Sequence, residues 1–284
     1  MLWVLRHIVK SALMKHETFL RKHPVFTRED LAKHLMSEAS RGEVGERTQE
    51  SLLAYYQKSG RIVRVRRGLY AVIPHGADPA SYPVDPFLVG TKLAPDSVLS
   101  HHAALEFHGN AYSVQTWITY SASRPLAPLA FRGHVFRGTK FRQTLMRLGK
   151  QHFGVLNLER SGQALRVASL ERTLVDVLDR PDLSGSWEEI WRSLESVEFF
   201  DLDKVVEYTR LLANATTAAR VGFFLDQHCE SLMIERSHLK SLQDMRPRRP
   251  HYMDRSKRKS GKFVSEWNLV VPGEVFNRSW GEVL

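Results

Sequence analysis

The chain has 284 residues, 43% of them apolar and 25% charged, with a formal net charge of +10, which excludes a disordered or fibrous polypeptide and supplies material for one large or two ordinary cores. Its single cysteine, Cys229, excludes an internal disulfide and a thiolate metal cluster, as expected for a protein of the reducing cytoplasm. No apolar run approaches the ~20 residues that span a bilayer, and the N-terminal MLWVLRHIVK is too briefly apolar for a signal-peptide core.

In chain order, residues 4–23 place Leu5, Ile8, Val9, Leu13 and Leu20 at helical spacing and stop before Pro24. Thr27 is a suitable N-cap for the next helix, TREDLAKHL, and Asp30 occupies the capping-box slot that Glu or Gln usually fills. Leu31, Ala32 and Leu35 give that helix a buried side. A polar stretch from Ser37 to Glu46, with Gly42 and Gly45, leads to a third helix from about Arg47 to Lys58, stopped at Gly60. Leu52, Leu53 and Tyr56 share one face of it. Arg47, Ser51, Ala54 and Lys58 lie opposite, with Tyr55 at the flank. The basic run RIVRVRRGLYAV then alternates around Ile62, Val63 and Val65, turns at Arg67-Gly68 and returns through Leu69, Tyr70 and Val72.

Two short amphipathic helices and a basic ribbon form the pattern of a winged helix-turn-helix. One helix enters the major groove of a duplex while the ribbon's arginines reach phosphates or the minor groove. The candidate DNA contacts are Arg47, Thr48, Ser51, Tyr55 and Lys58 on the helix, and Arg61, Arg64, Arg66 and Arg67 on the ribbon. Charge is concentrated in the same place. Residues 1–73 carry 14 Lys and Arg against 7 acidic residues, and residues 240–262 carry 9 against 2, while the rest is slightly acidic. Such blocks raise affinity for polyanions through counterion release. The second block supplies Arg246, Arg248, Arg249, Lys257, Arg258 and Lys259 as a second basic patch, either a nucleic-acid contact, a docking strip for an acidic partner or a solvated loop.

Pro74 to Pro86 has the composition of a linker, so the predicted division is a winged domain over 1–76, a linker over 77–86 and a second domain over 87–284, each part folding on its own core. In the second domain PFLVGTKLA and SHHAALEFHG read as helices. Val114–Tyr120, Leu129–Phe136, Val155–Glu159 and Ala164–Val167 read as strands. Four helical segments follow from Ser169 (SLERTLVDVLDR, SWEEIWRSLESV, DLDKVVEYTRLL, TAARVGFFLDQHC), then a basic loop to Lys262 and a last strand, VSEWNLVV. Strands grouped before helices predict an α+β fold: an N-terminal winged helix followed by a larger mixed domain.

His101, His102, Glu106 and His108 are the most tempting chemical cluster, but on a helix they split over two faces. A capped, hydrogen-bonded helix end is the expectation, with no metal. Glu171, Arg172, Asp176 and Asp179 read as an ion-paired helix surface. Nucleophile elbow, P-loop and dinucleotide motifs are absent, so neither an enzyme nor a cofactor is expected.

Three pieces of the second domain, SHHAALEFHG, SLERTLVDVLDRPDL and SEWNLVVP, stand in this order behind a winged helix ending in a V-R-R-G-L-Y ribbon. The set resembles the AbiEi family of antitoxins from type IV abortive-infection toxin–antitoxin systems. The resemblance implies an N-terminal domain that binds inverted repeats in its own promoter and represses it, with a homodimer on DNA as a candidate assembly. It implies a C-terminal domain that counteracts a nucleotidyltransferase-like toxin, directly or indirectly. Arg47 to Lys58 then occupy the recognition-helix position and Arg64 to Arg67 the wing. The rivals are a stand-alone regulator whose second domain senses a ligand or dimerises, and a metal-dependent nuclease of phage defence.

Overall fold

The structure is a computed structural model that describes residues 17–38, 46–254, 256 and 261–280, without the side chains of Glu38, Glu46, Arg47 and Thr48. Of the first predicted helix residues 17–23 are described, helical through Lys22; residues 4–16, and most of the Ser37–Glu46 stretch, lie outside the described residues. The N-terminal part then runs β1 (Val25–Thr27), α1 (Arg28–Glu38), α2 (Glu46–Lys58), β2 (Ile62–Arg66) and β3 (Leu69–Val72). The sheet order β1-β3-β2, all antiparallel, makes the ribbon part of a three-stranded unit, because the short VFT segment pairs with the return strand. This is a winged helix.

The predicted capping box is present and reciprocal. Thr27 Oγ1 accepts from the Asp30 amide at 3.1 Å, and Asp30 Oδ2 accepts from the Thr27 amide at 2.9 Å. Beneath the helices Phe19, Leu31, Leu35, Leu53, Tyr56 and Ile62 bury against one another, the face that the helical spacing indicated.

The second part is mixed α+β. A six-stranded sheet holds β4 (Val98–Leu99), β5 (Trp117–Ala122), β6 (Leu129–Phe131), β7 (His134–Lys140), β8 (Val155–Arg160) and β9 (Gln163–Ala168) in the order β6-β7-β5-β4-β9-β8. Two short helices, α3 (Pro86–Lys92) and α4 (His102–His108), pack on it, and α5 (Gln143–Arg147) follows β7. The helices α6 (Leu170–Asp179), α7 (Trp187–Glu195), α8 (Leu202–Leu212) and α9 (Ala215–Gln227) build a separate apolar core around Trp191, Phe224 and Trp267. The segment expected as a basic loop and terminal strand contains α10 (Arg236–Gln243) and a three-stranded sheet of β10 (His251–Tyr252), β11 (Gly261–Val264) and β12 (Leu269–Pro272) in the order β10-β12-β11, closed by α11 (Gly273–Asn277). Among the described residues no helix is long and apolar enough to cross a membrane.

Each part holds an apolar core of its own, and a third cluster spans the two. The wing's inner face, Val25, Val65, Leu69 and Ala71, buries in one cluster with Phe87, Leu88, Leu99, Leu165 and Val167 of the second part. Polar ties cross the same boundary. Gln163 Nε2 donates to the Val25 carbonyl at 2.6 Å, and Lys92 Nζ lies 2.9 Å from Asp30 Oδ2. Residues 74–85 hold neither helix nor strand, and Arg132 donates to the Pro79 carbonyl.

Burial alone would raise the Asp30 carboxyl. Its bond from the Thr27 amide and the Lys92 ammonium outweigh that and hold it below the usual carboxylate range. A depressed folded-state value stabilises at pH above the unfolded value of about 3.9, and the contribution disappears as pH falls through the lower folded value. Asp30→Asn keeps an acceptor for the cap and removes the charge. It is expected to cost about 1 kcal/mol at pH 7 and almost nothing near pH 2, read from urea unfolding at both pH values. Equal losses at both would show that the ion pair contributes nothing.

Candidate nucleic-acid interface

The outward face of α2 carries Ser51, Ala54, Tyr55 and Lys58, all exposed, while Leu53 and Tyr56 are buried. Tyr55 is 57% exposed, its ring set edge-on against that of the buried Tyr56. Arg47 and Thr48 fall in the first turn of the same helix, but their side chains lie outside the described residues. The helix is oriented by α1. Arg28 Nε donates to Gln49 Oε1 at 3.0 Å, Arg28 Nη2 pairs with Glu50 Oε1 at 3.1 Å, and Gln49 Nε2 donates back to the Arg28 carbonyl. Sequence reasoning missed this lock, since contacts 21 and 22 positions apart leave no local period.

The ribbon turns at Gly68, whose φ of 78° suits a residue without a Cβ, and the Arg28 amide donates to the Gly68 carbonyl at 2.9 Å. The tip is thereby tied to the start of α1. A bulge between Arg64 and Arg66 leaves Val65 without a partner on β3 and turns its side chain into the core. Arg64 and Arg67 are exposed, and Arg66 is half-buried with its Nε out of contact with water. Arg61 is corrected: its guanidinium pairs with Glu17 at 2.6 Å and donates to the Ile73 carbonyl, so it fastens the N-terminal helical stretch to the end of β3 and does not project from the wing.

Of the second basic patch, Arg248 and Arg249 are exposed and Arg246 is half-buried after α10, while Lys257, Arg258 and Lys259 lie outside the described residues.

The histidines of the cluster are engaged in hydrogen bonds within the fold. His102 is fully buried, with Nε2 3.0 Å from Glu189 Oε1, and Glu189 also accepts from the Ser113 amide and from the hydroxyls of Ser113 and Ser193. His108 Nε2 donates to the Ala168 carbonyl at 2.8 Å, and His101 Nδ1 bonds to Ser100 Oγ at 2.9 Å. Among the described residues no group of three or more His, Cys, Asp and Glu could hold a metal ion. His102→Ala would leave Glu189 buried and short of a donor. An expected loss of about 1–3 kcal/mol in denaturant unfolding, with no change in affinity for nucleic acid, separates this role from a binding one.

Arg172, Asp176 and Asp179, expected on an ion-paired surface, are instead buried. Arg172 pairs with Asp176 at 3.3 Å and donates to the carbonyls of Gln151 and Phe153, while the Tyr208 hydroxyl donates to Asp176 at 2.8 Å. Burial, then the Asp176 carboxylate, pushes the Tyr208 phenol well above its usual value. Asp179 accepts from Arg142, Asn214 and Thr217. The void beside them holds about 20 Å³, room for one water and no substrate.

Residues 17–73, which hold both helices and the wing, match the family model described as transcriptional regulator, AbiEi antitoxin. The N-terminal part of the chain is therefore similar to that regulator family. Over nearly its whole length the chain is similar in fold to the RV2827C protein from Mycobacterium tuberculosis, known from its crystal structure, with a TM-score of 0.55 and 20% identity over 91% of this chain and 90% of that one. At that identity the likeness concerns fold alone. No curated protein matches the sequence.

Proposed function

We propose that the chain is a DNA-binding antitoxin that represses its own operon at inverted repeats in the promoter and counteracts a nucleotidyltransferase-like toxin. It acts in the cytoplasm by occupancy, without catalysis and without a cofactor. The observation that carries this reading is the exposed row Ser51, Tyr55 and Lys58 beside the exposed wing cations Arg64 and Arg67, inside the segment matched by the regulator family. Ser51 and Tyr55, with Arg47 and Thr48 one turn earlier, meet base edges or adjacent backbone. The wing arginines anchor phosphates and fix register. A homodimer on the two half-sites suits a repeated operator.

Toxin neutralisation is assigned to residues 87–284, downstream of the linker at 77–86. The acidic helices between Glu188 and Glu207 offer a surface opposite in sign to the wing, suited to a basic partner. Two assays test the proposal together. The full chain is expected to shift its own promoter duplex and lower expression of a promoter reporter, and to restore growth when co-expressed with the toxin encoded beside it. Repression without rescue would favour a stand-alone regulator. Duplex cleavage that requires an added divalent metal would favour a nuclease.

A further inference from the structure

Beside the buried contact, an open cleft of about 940 Å³ lies between the wing tip with the start of α1 and the second part of the chain. Lys33, Arg66 and Arg67 line one wall, and Lys92, Asn157 and Arg166 the other. With Arg28, six basic side chains line the cleft against two acidic ones, Glu29 and Asp30, and Asp30 is already paired with Lys92. Lys33, Arg66 and Arg67 have no hydrogen-bond or ion-pair partner among the described residues. Arg66 Nε is buried with no acceptor, an arrangement that costs free energy unless an anion arrives to accept from it. Arg166 is held in place by donating to the Pro95 carbonyl, with the remainder of its fork left for a ligand.

We propose that this cleft seats a stretch of DNA backbone, so that Arg166 and Asn157 of the second part contact phosphates alongside Lys33, Arg66 and Arg67. The proposal rests on the winged-helix reading above and extends its footprint across the boundary. The chemistry favours a phosphodiester chain over a free nucleotide. The cations are spread along an open side, and the one aromatic residue lining the cleft, Tyr70, is 9% exposed and offers no platform for a base. The start of α1 faces the cleft as well, but its cap is already filled by Thr27 and Asp30, so side chains do the binding.

The test uses the full chain and its promoter duplex, titrated at several salt concentrations. Arg166→Gln retains a donor for the Pro95 carbonyl and removes the charge, which keeps the fold and isolates the electrostatic role. It is expected to reduce the log–log salt slope by about 1 and to weaken specific and non-specific duplexes alike by roughly 3- to 10-fold. Arg67→Ala serves as the wing reference. If Arg67→Ala lowers the slope and Arg166→Gln leaves it unchanged, the cleft proposal falls and the winged-helix reading stands. If the unaltered chain binds no duplex at low salt, both fall. ATP or inorganic phosphate, added without DNA, is expected to leave the melting temperature unchanged. A rise that Arg166→Gln abolishes would assign the cleft to a free phosphate compound and overturn the proposal.

Discussion

Replacing Arg66 and Arg67 together by alanine is expected to reduce DNA affinity by about 10- to 100-fold near physiological salt, equally for all sequences. Each lost phosphate contact removes about one counterion from the release term, so the log–log salt slope should fall by ~2. The two side chains flank the ribbon tip, Arg67 is exposed, and neither has an ion-pair partner among the described residues. Their removal therefore leaves no carboxylate uncompensated and should not disturb the fold. Substitution at Ser51 should behave differently, changing the preferred sequence more than the slope, because that side chain sits where a base edge would be. A double variant with the salt slope of the unaltered chain would remove the wing from the interface.

Trp267→Ala is expected to produce the largest loss of stability, about 3–5 kcal/mol, a large share of the ~5–15 kcal/mol that holds a domain together. The indole is fully buried in the core between the helices and the small C-terminal sheet, and its Nε1 donates to Asp226 Oδ2 at 3.1 Å. Its ring lies against Gly222 of α9, where a Cβ would come within 2.0 Å of the ring. Gly222→Ala should therefore destabilise the protein by about 1–3 kcal/mol, although alanine is the better helix former by about 1 kcal/mol. Urea midpoints of both variants decide the matter. A stabilised Gly222→Ala would show that the indole can move aside.

Much of the architecture follows from local rules. The buried faces of α1 and α2, the turn at Gly68 and the long helices from α6 to α9 all follow from apolar period and capping. What was not legible is short or tertiary. The strands at Val25–Thr27 and Val98–Leu99 are too brief to show alternation. Leu129–Phe136 was read as one strand because the turn at Arg132-Gly133, where both residues have positive φ, interrupts an otherwise continuous pattern. The terminal strand is broken in the same way by Asn268, with φ 47°, after the short helical turn Ser265–Trp267. Arg172, Asp176 and Asp179 looked solvated because a helical wheel gives charges one outer face. Here a second layer, with Tyr208 of α8 and Thr217 of α9, covers that face as well.

In the candidate interface, Ser51, Tyr55, Lys58, Arg64 and Arg67 stand on the outside, as helical and ribbon geometry require. Arg61 differs because its partner, Glu17, comes from a helix 44 positions earlier. The roles of Gln49 and Glu50 in orienting α2 were hidden for the same reason.

The underside of the wing makes the reader unsuitable as a transplantable cassette. Val25, Val65, Leu69 and Ala71 are covered by Phe87, Leu88 and their neighbours, so a graft of residues 17–73 onto another body would arrive with an uncovered apolar face. A host would have to supply a complementary surface in the same register, including a cationic donor for Asp30 in place of Lys92 and a donor for the Val25 carbonyl. Recombination at the proline-rich stretch is therefore expected to yield chimeras prone to aggregate.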